Sequence, residues 1–579
     1  MIQIDKNAAI NAEKWLNTSI DQQAKQEIIS LRENNVNEFN DAFYRTLEFG
    51  TGGLRGIMGI GTNRMNKYIV AMTTQGFCNY IAENNQGKQI KTVISYDSRN
   101  NSREFAKITA RVMAANGFKV YLFEDIRPTP ELSFAVRELK ADAGVMLTAS
   151  HNPKEYNGYK AYWNDGAQLT SPHDELVIEK VNAITDLSQV KMQDDDKNIT
   201  IIGEDMDKIY LEKIKSISIN SQCIKKQKDL KIVYTPLHGT GISLVPKALK
   251  AYGFENVICV KEQSIPDGNF PTCVSPNPEE PAALEMGIKL AKEIDADMLL
   301  ATDPDADREA IAVKDNKGEW IILNGNQTAS LLTYYLLSAN KNANALKGNE
   351  YIIKTVVTTD LINKIAEDFF VEYFDVLTGF KHIASKIREH EGKKRYIGGG
   401  EESFGYLIGD FVRDKDAVSA CCILAEMVAC LKEEGTNLYD FLLQLYTKYG
   451  FFQEKQVSIT RKGKTGAEEI QKMMMDFRNN PPKQLDNDEV VEIIDYLETE
   501  KTQLPKSNVL QYLLKSGSKV SVRPSGTEPK IKFYFSIVIP MKNKGEVETL
   551  QTLAFEKIER IKQDLGLSNE KEHLSLFFS

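Results

Sequence analysis

The chain has 579 residues, 42% hydrophobic and 26% charged, with a formal net charge of -9. A single hydrophobic core stops growing near about 250 to 300 residues, so this length implies three to five domains, and the ordinary composition excludes a disordered or fibrous protein. The acidic balance, with no dense run of Lys or Arg, excludes nucleic acid or an anionic membrane as the main partner, so any phosphate chemistry must use local cationic pockets.

The start, MIQIDKNAAINAEKW, has no apolar core of an export signal, and no stretch approaches the roughly 18 apolar residues of a membrane span, so neither secretion nor membrane insertion is expected. FGTGGLRG, which contains Arg55, is glycine-rich but lacks both dinucleotide-binding and P-loop spacing.

From Lys91 the pattern alternates. The apolar run KTVISYD is followed by the helical stretch REFAKITARVMAANG, the run FKVYLFE, a helix after PTP, and the run AGVMLTAS. This reads as β-α-β-α-β, which predicts parallel strands with right-handed crossovers. A similar order returns at KIVYTP, SLVPKALKAYG, ENVICVK, AALEMGIKLAKEI and DMLLATD, and again at EYIIKTVV, DLINKIAEDF, VEYFDV, HIASKIREHEG and KRYIGGG. Each third strand runs into a polar loop: TASHNP, TDPDADR and GGGEESFG. Ligands collect at the carboxyl ends of strands in open α/β sheets, so these loops are candidates for one cleft.

TASHNP places Ser150 at a strand end with His151 next in sequence and Lys160 ten residues on. Serine needs a base, a metal or a phosphorylated state to take part in chemistry, and Ser-His alone is commonly an ordinary turn. A hydrolase elbow is excluded because the string is A-S-H-N, not G-x-S-x-G.

DPDADR sets Asp303, Asp305 and Asp307 at alternate positions beyond an apolar strand. Each pair of such carboxylates costs about 1 kcal/mol at 4 Å in water and about 4 kcal/mol at an effective dielectric of 20. A hard cation removes that cost. All-oxygen ligands with room for a phosphate oxygen suit Mg²⁺ better than Ca²⁺, and the loop has neither the Gly nor the Glu of an EF-hand. A solvated acidic turn is the competing reading of this string by itself. Arg308 stands ready to neutralise a carboxylate or hold a phosphate.

GGGEESFG presents Glu401 and Ser403 as acceptor and donor suited to sugar hydroxyls. GKT at Gly463 to Thr465 lacks the earlier glycine of a Walker A loop. RPSGTEPK combines Arg523, Ser525, Gly526, Thr527 and Lys530, a donor set for a phosphate dianion, with a β-turn bearing surface charges as the alternative. The flanking run SGSKVSVRPSGTEPKIKFYFSIVI reads as two strands around this loop, with a helix near Val547 to Gln563. Candidate boundaries are the charge-rich stretch from Gln189 to Leu230 and the segment from RKGKTGAEEI to NNPPKQL. The seven cysteines are scattered without C-x-x-C spacing, which predicts neither a zinc site nor a disulfide framework and fits a reducing cytoplasm.

Together TASHNP, DPDADR, GEESFG and RPSGTEPK, in this order, resemble the α-D-phosphohexomutase superfamily over essentially the whole chain. YDSRNNS, TPLHGTG, PDGNFPTCVSPNPEEPAAL, LTGFKHI and RDKDA resemble the branch that holds bacterial phosphoglucomutase and the animal phosphoglucomutase-2 group. The resemblance implies an α/β fold of four domains around a central cleft. Three are related α/β domains with mixed, mainly parallel sheets, expected over 1–210, 211–325 and 326–455, and a smaller α+β domain is expected over 456–579.

It further implies that Ser150 is a phosphoserine and that Asp303, Asp305 and Asp307 bind Mg²⁺ with the serine phosphate as a further ligand. Thr378, Gly379, Glu401, Ser403 and Lys415 would contact the sugar, and Arg523, Ser525, Gly526, Thr527 and Lys530 the phosphate that is not transferred. Lys160 and Lys415 are candidates for proton handling, a role that needs a lowered pKa. Arg55, His151 and Arg308 complete the electrostatic setting. Pro304 and Ala306 replace the glycines of the common DGDGDR and leave the ligands intact. The implied activity is a cytoplasmic phosphoglucomutase, monomeric or weakly dimeric, acting on glucose phosphates with glucose 1,6-bisphosphate as intermediate and activator. Phosphomannomutase, phosphopentomutase or glucose 1,6-bisphosphate synthase activity on the same scaffold, a phosphatase using Asp303, and a silent sugar-phosphate binding protein are the alternatives.

Overall fold

Apolar runs flanked by amphipathic stretches fold as the alternation predicts in the computed structural model, which describes residues 3–50, 52–193, 195–461, 463–525 and 530–567. The chain forms two compact units. One comprises residues up to Ala312 with Phe380–Glu391 and Gly405–Glu426; the other comprises Val313–Gly379, Gly392–Phe404 and residues from Met427 on.

In the first unit, strands Lys119–Phe123, Lys91–Tyr96 and Ala143–Leu147 lie side by side and parallel. Helices Ser102–Ala115 and Thr129–Glu138 connect them. Every residue of Ala143–Leu147 is buried, as a strand covered on both faces requires. The strand Tyr156–Trp163 then returns antiparallel to Ala143–Leu147, with Lys160 opposite Met146. Its tyrosines and polar residues hide it from a purely apolar reading, yet it carries Lys160 back beside the Ser150 loop. Helices Lys6–Leu16, Gln22–Asn34, Val36–Phe43 and Lys67–Asn84 also pack into this core.

The second α/β segment repeats the device. Strand Ile232–Thr235 runs parallel to Val257–Cys259 and Met298–Thr302. Strand Glu309–Lys314 then pairs antiparallel with Met298–Thr302, Glu309 opposite Thr302, so DPDADR is the turn of a hairpin. The charge-rich stretch read as a boundary is structured as well: Ile199–Ile202 joins the first sheet beside Lys119–Phe123, and helix Glu204–Ser216 follows.

In the second unit, Glu350–Thr355 is parallel to Glu372–Val376 and to Arg395–Glu401. The chain ends in a fourth domain built on an antiparallel sheet ordered Phe451–Thr460, Lys530–Ile539, Lys519–Pro524, Leu510–Leu514, Asp488–Asp495 and Gln484–Leu485. Helices Gly463–Asn479 and Val547–Asp564 accompany it. The segment from Gly463 to Asn479 is thus part of this domain, and Pro481 and Pro482 follow the end of its helix.

Buried charges tie this sheet to the loop after Glu350–Thr355. The ammonium of Lys354 meets Asp360 at 2.9 Å and Asp375 at 3.1 Å, and that of Lys519 meets Asp360 at 2.8 Å and the Val356 carbonyl at 3.2 Å. Beside them Glu454 has its Oε1 sealed from solvent, and burial pushes its pKa up to about 7, Thr359 opposing. A carboxyl raised in the folded state contributes stability that is full below its unfolded pKa and is lost as pH rises through the folded value. The second unit is therefore expected to lose on the order of 2 kcal/mol between pH 5 and pH 8 through this group. Urea unfolding of the Glu454→Gln variant should show that part of the pH slope gone; an unchanged slope contradicts the assignment.

Candidate active site

Strand Ala143–Leu147 delivers Ser150 into a turn where its φ is 53°, a left-handed conformation unusual for a residue with a side chain. The turn is held from beneath. The Ser150 amide donates to Thr148 Oγ1 at 2.8 Å, and the buried Arg99 guanidinium donates to the carbonyls of Ser150 at 2.6 Å, Pro153 at 2.9 Å and Tyr156 at 3.0 Å, and to that of Asn152. Arg99 sits over the Phe270 ring and pairs with buried Asp97 at 3.5 Å. Arg99 lies in YDSRNNS, and the residue-by-residue reading gave it no role, because its partners are backbone carbonyls that no motif displays.

The Ser150 hydroxyl donates to Asp303 Oδ2 at 2.8 Å and lies 3.2 Å from His151 Nδ1. Burial, with Arg308 and Arg55 nearby, holds His151 well below its ordinary pKa, so the imidazole is neutral. Arg55 itself is exposed and donates to Asn152 Oδ1 at 3.2 Å.

Asp303, Asp305 and Asp307 are buried, and one oxygen from each lies within 4.8 Å of the others. The backbone of the loop is clamped from two sides: Thr240 N–H donates to the Pro304 carbonyl at 2.7 Å, and Thr129 N–H to the Asp305 carbonyl at 2.9 Å. Gly239 is required at the first clamp, since a Cβ there would lie 2.3 Å from Pro304 Cα. Ala306 takes φ 49°. That costs about 1 kcal/mol, which a glycine would avoid.

Cations surround the carboxylates. Lys160 Nζ is 2.7 Å from Asp305 Oδ2 and 3.1 Å from Asp307 Oδ2, and Lys415 Nζ is 3.2 Å from Asp307 Oδ2. Asp414, which accepts from Tyr162 at 2.8 Å and Gln168 at 2.9 Å, steadies Lys415 at 3.3 Å. Arg308 donates to Glu279 at 2.8 Å and lies 3.9 Å from Asp307 Oδ1. Burial, then Asp305 and Asp307, pushes Asp303 well above the usual carboxylate pKa. At Asp307 burial pushes the same way, but Lys160, Lys415 and Arg308 outweigh it and the carboxyl falls well below that range. At Lys160 burial is outweighed by Asp305 and Asp307, so its pKa rises; here it keeps its proton, the opposite of the shift a general base needs.

The remaining candidates lie in the second unit. The Gly379 amide donates to Glu401 Oε1 at 2.9 Å, which joins LTGFKHI to GEESFG, and the buried Thr378 hydroxyl has no hydrogen-bond partner among the described residues. Ser403 is half-buried, and its neighbour Glu402 accepts from Thr355 at 3.3 Å and Thr358 at 3.2 Å. Arg523 is the penultimate residue of the strand Lys519–Pro524, and the Ser525 amide donates to the Lys530 carbonyl at 2.7 Å. Burial and Glu402 raise the Tyr534 phenol while Arg523 opposes, so the two loops share an electrostatic neighbour. Gly526 and Thr527 lie outside the described residues.

Comparison with known proteins gives matches along most of the chain. The models for phosphoglucomutase/phosphomannomutase alpha/beta/alpha domains I, II and III match residues 46–188, 208–318 and 324–449. A phosphoglucomutase of Staphylococcus aureus strain MRSA252 is 39% identical over 513 residues, 87% of this chain and 92% of the relative. One of Staphylococcus haemolyticus is 36% identical over 529 residues, 88% and 94% of the two chains. Among solved structures, the open form of the phosphoglucomutase parafusin from Paramecium superposes with a TM-score of 0.69 at 18% identity, covering 92% of this chain and 97% of its own. A phosphomannomutase structure from Thermus thermophilus gives 0.66 at 19%, covering 90% and 99%. These two structures show the shared fold.

Proposed function

The chain belongs to the phosphoglucomutase/phosphomannomutase family, and on that premise we propose that it interconverts glucose 1-phosphate and glucose 6-phosphate through a phosphorylated Ser150. The observation that carries this reading is the 2.8 Å hydrogen bond from Ser150 Oγ into the buried triple-aspartate loop.

The donor set fits Mg²⁺. It is all oxygen, and Asp305 Oδ1 and Asp307 Oδ1 are buried without a hydrogen bond among the described residues, which is costly unless a cation compensates. Asp303, Asp305 and Asp307 would hold the ion, with the phosphate on Ser150 as a further oxygen. Bound there, Mg²⁺ supplies Lewis-acid stabilisation of charge on the phosphoryl oxygens.

A sugar hydroxyl attacks the phosphorus on Ser150 as the P–Oγ bond breaks, and the hydroxyl's proton ends on the released Ser150 Oγ, which donates it in the 2.8 Å hydrogen bond to Asp303 Oδ2. Protonated Lys160, with the Lys415 side chain beside Asp307, stabilises negative charge on the moving group. Glucose 1,6-bisphosphate, the intermediate, then turns over and returns its other phosphate to Ser150. Thr378, Gly379, Glu401 and Ser403 are assigned to the sugar hydroxyls, and Arg523, Ser525, Gly526, Thr527 and Lys530 to the phosphate that stays. Arg55, exposed beside Asn152, adds a cation for dianions, while neutral His151 adds no charge.

A phosphatase with Asp303 as nucleophile is disfavoured, because Asp303 commits Oδ2 to Ser150 and Oδ1 to the amides of Asp307 at 3.2 Å and Arg308 at 3.1 Å. The seven scattered cysteines, without C-x-x-C spacing, support a cytoplasmic setting, and the net charge of -9 supports a monomer or weak homodimer acting on small sugar phosphates. The test is turnover of glucose, mannose and ribose 1-phosphates with Mg²⁺, each with and without added glucose 1,6-bisphosphate. Isomerisation of the glucose ester that needs Mg²⁺ and is accelerated by the bisphosphate is expected; release of inorganic phosphate in its place refutes the reading.

A further inference from the structure

The carboxylates of the DPDADR loop divide their oxygens between two tasks. Asp303 Oδ1 accepts from two backbone amides, Asp307 Oδ2 takes both lysines, and Asp305 Oδ2 accepts from Thr129 Oγ1 at 2.8 Å and Lys160 at 2.7 Å. The opposite oxygens of Asp305 and Asp307 are buried and accept no hydrogen bond from the described residues. A carboxylate pinned by one oxygen can turn only about that anchor, so the donors on Oδ2 decide where Oδ1 points.

Thr129 belongs to none of the sequence motifs. It opens helix Thr129–Glu138, directly after Pro128, and is fully buried. It holds Asp305 twice, by its amide on the carbonyl at 2.9 Å and by its hydroxyl on the carboxylate. The second donor to Asp305 Oδ2, Lys160, is shared with Asp307 and lies on a long flexible side chain. Thr129 is short, uncharged and rigid at χ1. It therefore holds Oδ2 more firmly than a long lysine side chain can.

We infer that Thr129 is a positioning residue for the metal: it orients Asp305 so that Oδ1 is presented to the cation. The inference rests on the proposed metal site. Partners that orient a ligating carboxylate change metal affinity by about 10- to 100-fold when removed.

Thr129→Val keeps the shape, the β-branch and the backbone N–H and removes only the hydroxyl; Thr129→Ser keeps the hydroxyl. Calorimetric titration with Mg²⁺ alone, on the full chain without substrate, should show the dissociation constant raised about 10-fold or more in Thr129→Val. In Thr129→Ser it should stay within about threefold. Raising Mg²⁺ should then restore kcat of the valine variant with an unchanged KM for the sugar phosphate, a rescue that a fold defect would not show. Should the valine variant fail to fold, Thr129→Ala against Thr129→Ser makes the same comparison. If the variants lacking the hydroxyl bind Mg²⁺ like the unsubstituted chain, the inference is overturned while the metal site stands. If the unsubstituted chain itself binds no Mg²⁺, both fall.

Discussion

Ser150→Ala is expected to lower kcat by about 10⁴-fold or more, since removal of a covalent nucleophile leaves only the contribution of binding and electrostatics. Neither candidate beside it can take over. His151 is neutral but lies in the same turn, and Asp303 has both oxygens engaged. The fold should survive, because the turn is held by Arg99 through carbonyls and by the Ser150 amide on Thr148, none of which involves the serine side chain. Intact-protein mass after incubation with glucose 1,6-bisphosphate checks the same point: the unsubstituted chain should gain one phosphoryl group and the variant none. An alanine variant that still isomerises glucose 1-phosphate would remove Ser150 from the mechanism.

Asp307→Asn should be the second severe change, and here two effects oppose each other. Removing one of three clustered carboxylates relieves repulsions of about 4 kcal/mol per pair at 4 Å and an effective dielectric of 20. It also deprives Lys160, Lys415 and Arg308 of a shared anion at 3.1, 3.2 and 3.9 Å. The attractions outnumber the repulsions three to two, and buried lysines left without their partner are costly. Urea denaturation without Mg²⁺ should therefore show a loss of about 1 to 3 kcal/mol. With an amide in a ligand position, Mg²⁺ affinity should fall by about 100-fold or more and kcat with it. Asp305→Asn should lose comparable Mg²⁺ affinity with a smaller stability loss, since Asp305 pairs with Lys160 whereas Asp307 holds Lys160, Lys415 and Arg308. A stabilised Asp307→Asn protein would show that repulsion among the aspartates dominates the empty loop.

Burial and charge explain which functional features were readable beforehand. Strands such as Lys91–Tyr96 and Ala143–Leu147 announce themselves because both faces are covered, which demands a continuous apolar run. The triple aspartate announces itself because its members sit within one hairpin turn and repel unless something binds. Strand Tyr156–Trp163 mixes tyrosines with Lys160 and Asn157, whose side-chain N–H donors are satisfied by groups remote in sequence, so its apolar signal is weak.

The chain's local patterns determined the parallel strand order within each α/β segment, the metal-suited loop and the candidate serine, since apolar periodicity and neighbouring like charges act between residues close in sequence. The tertiary structure alone decided which oxygens remain for a cation. Those are selected by donors from elsewhere in the chain, Thr129 at 176 residues and Lys160 at 145 residues from Asp305, and by the Arg99 fork that sets the left-handed turn at Ser150. Hydrogen bonds reach about 3 Å in space whatever the separation along the chain, and that short range makes the finished geometry of the site a property of the fold.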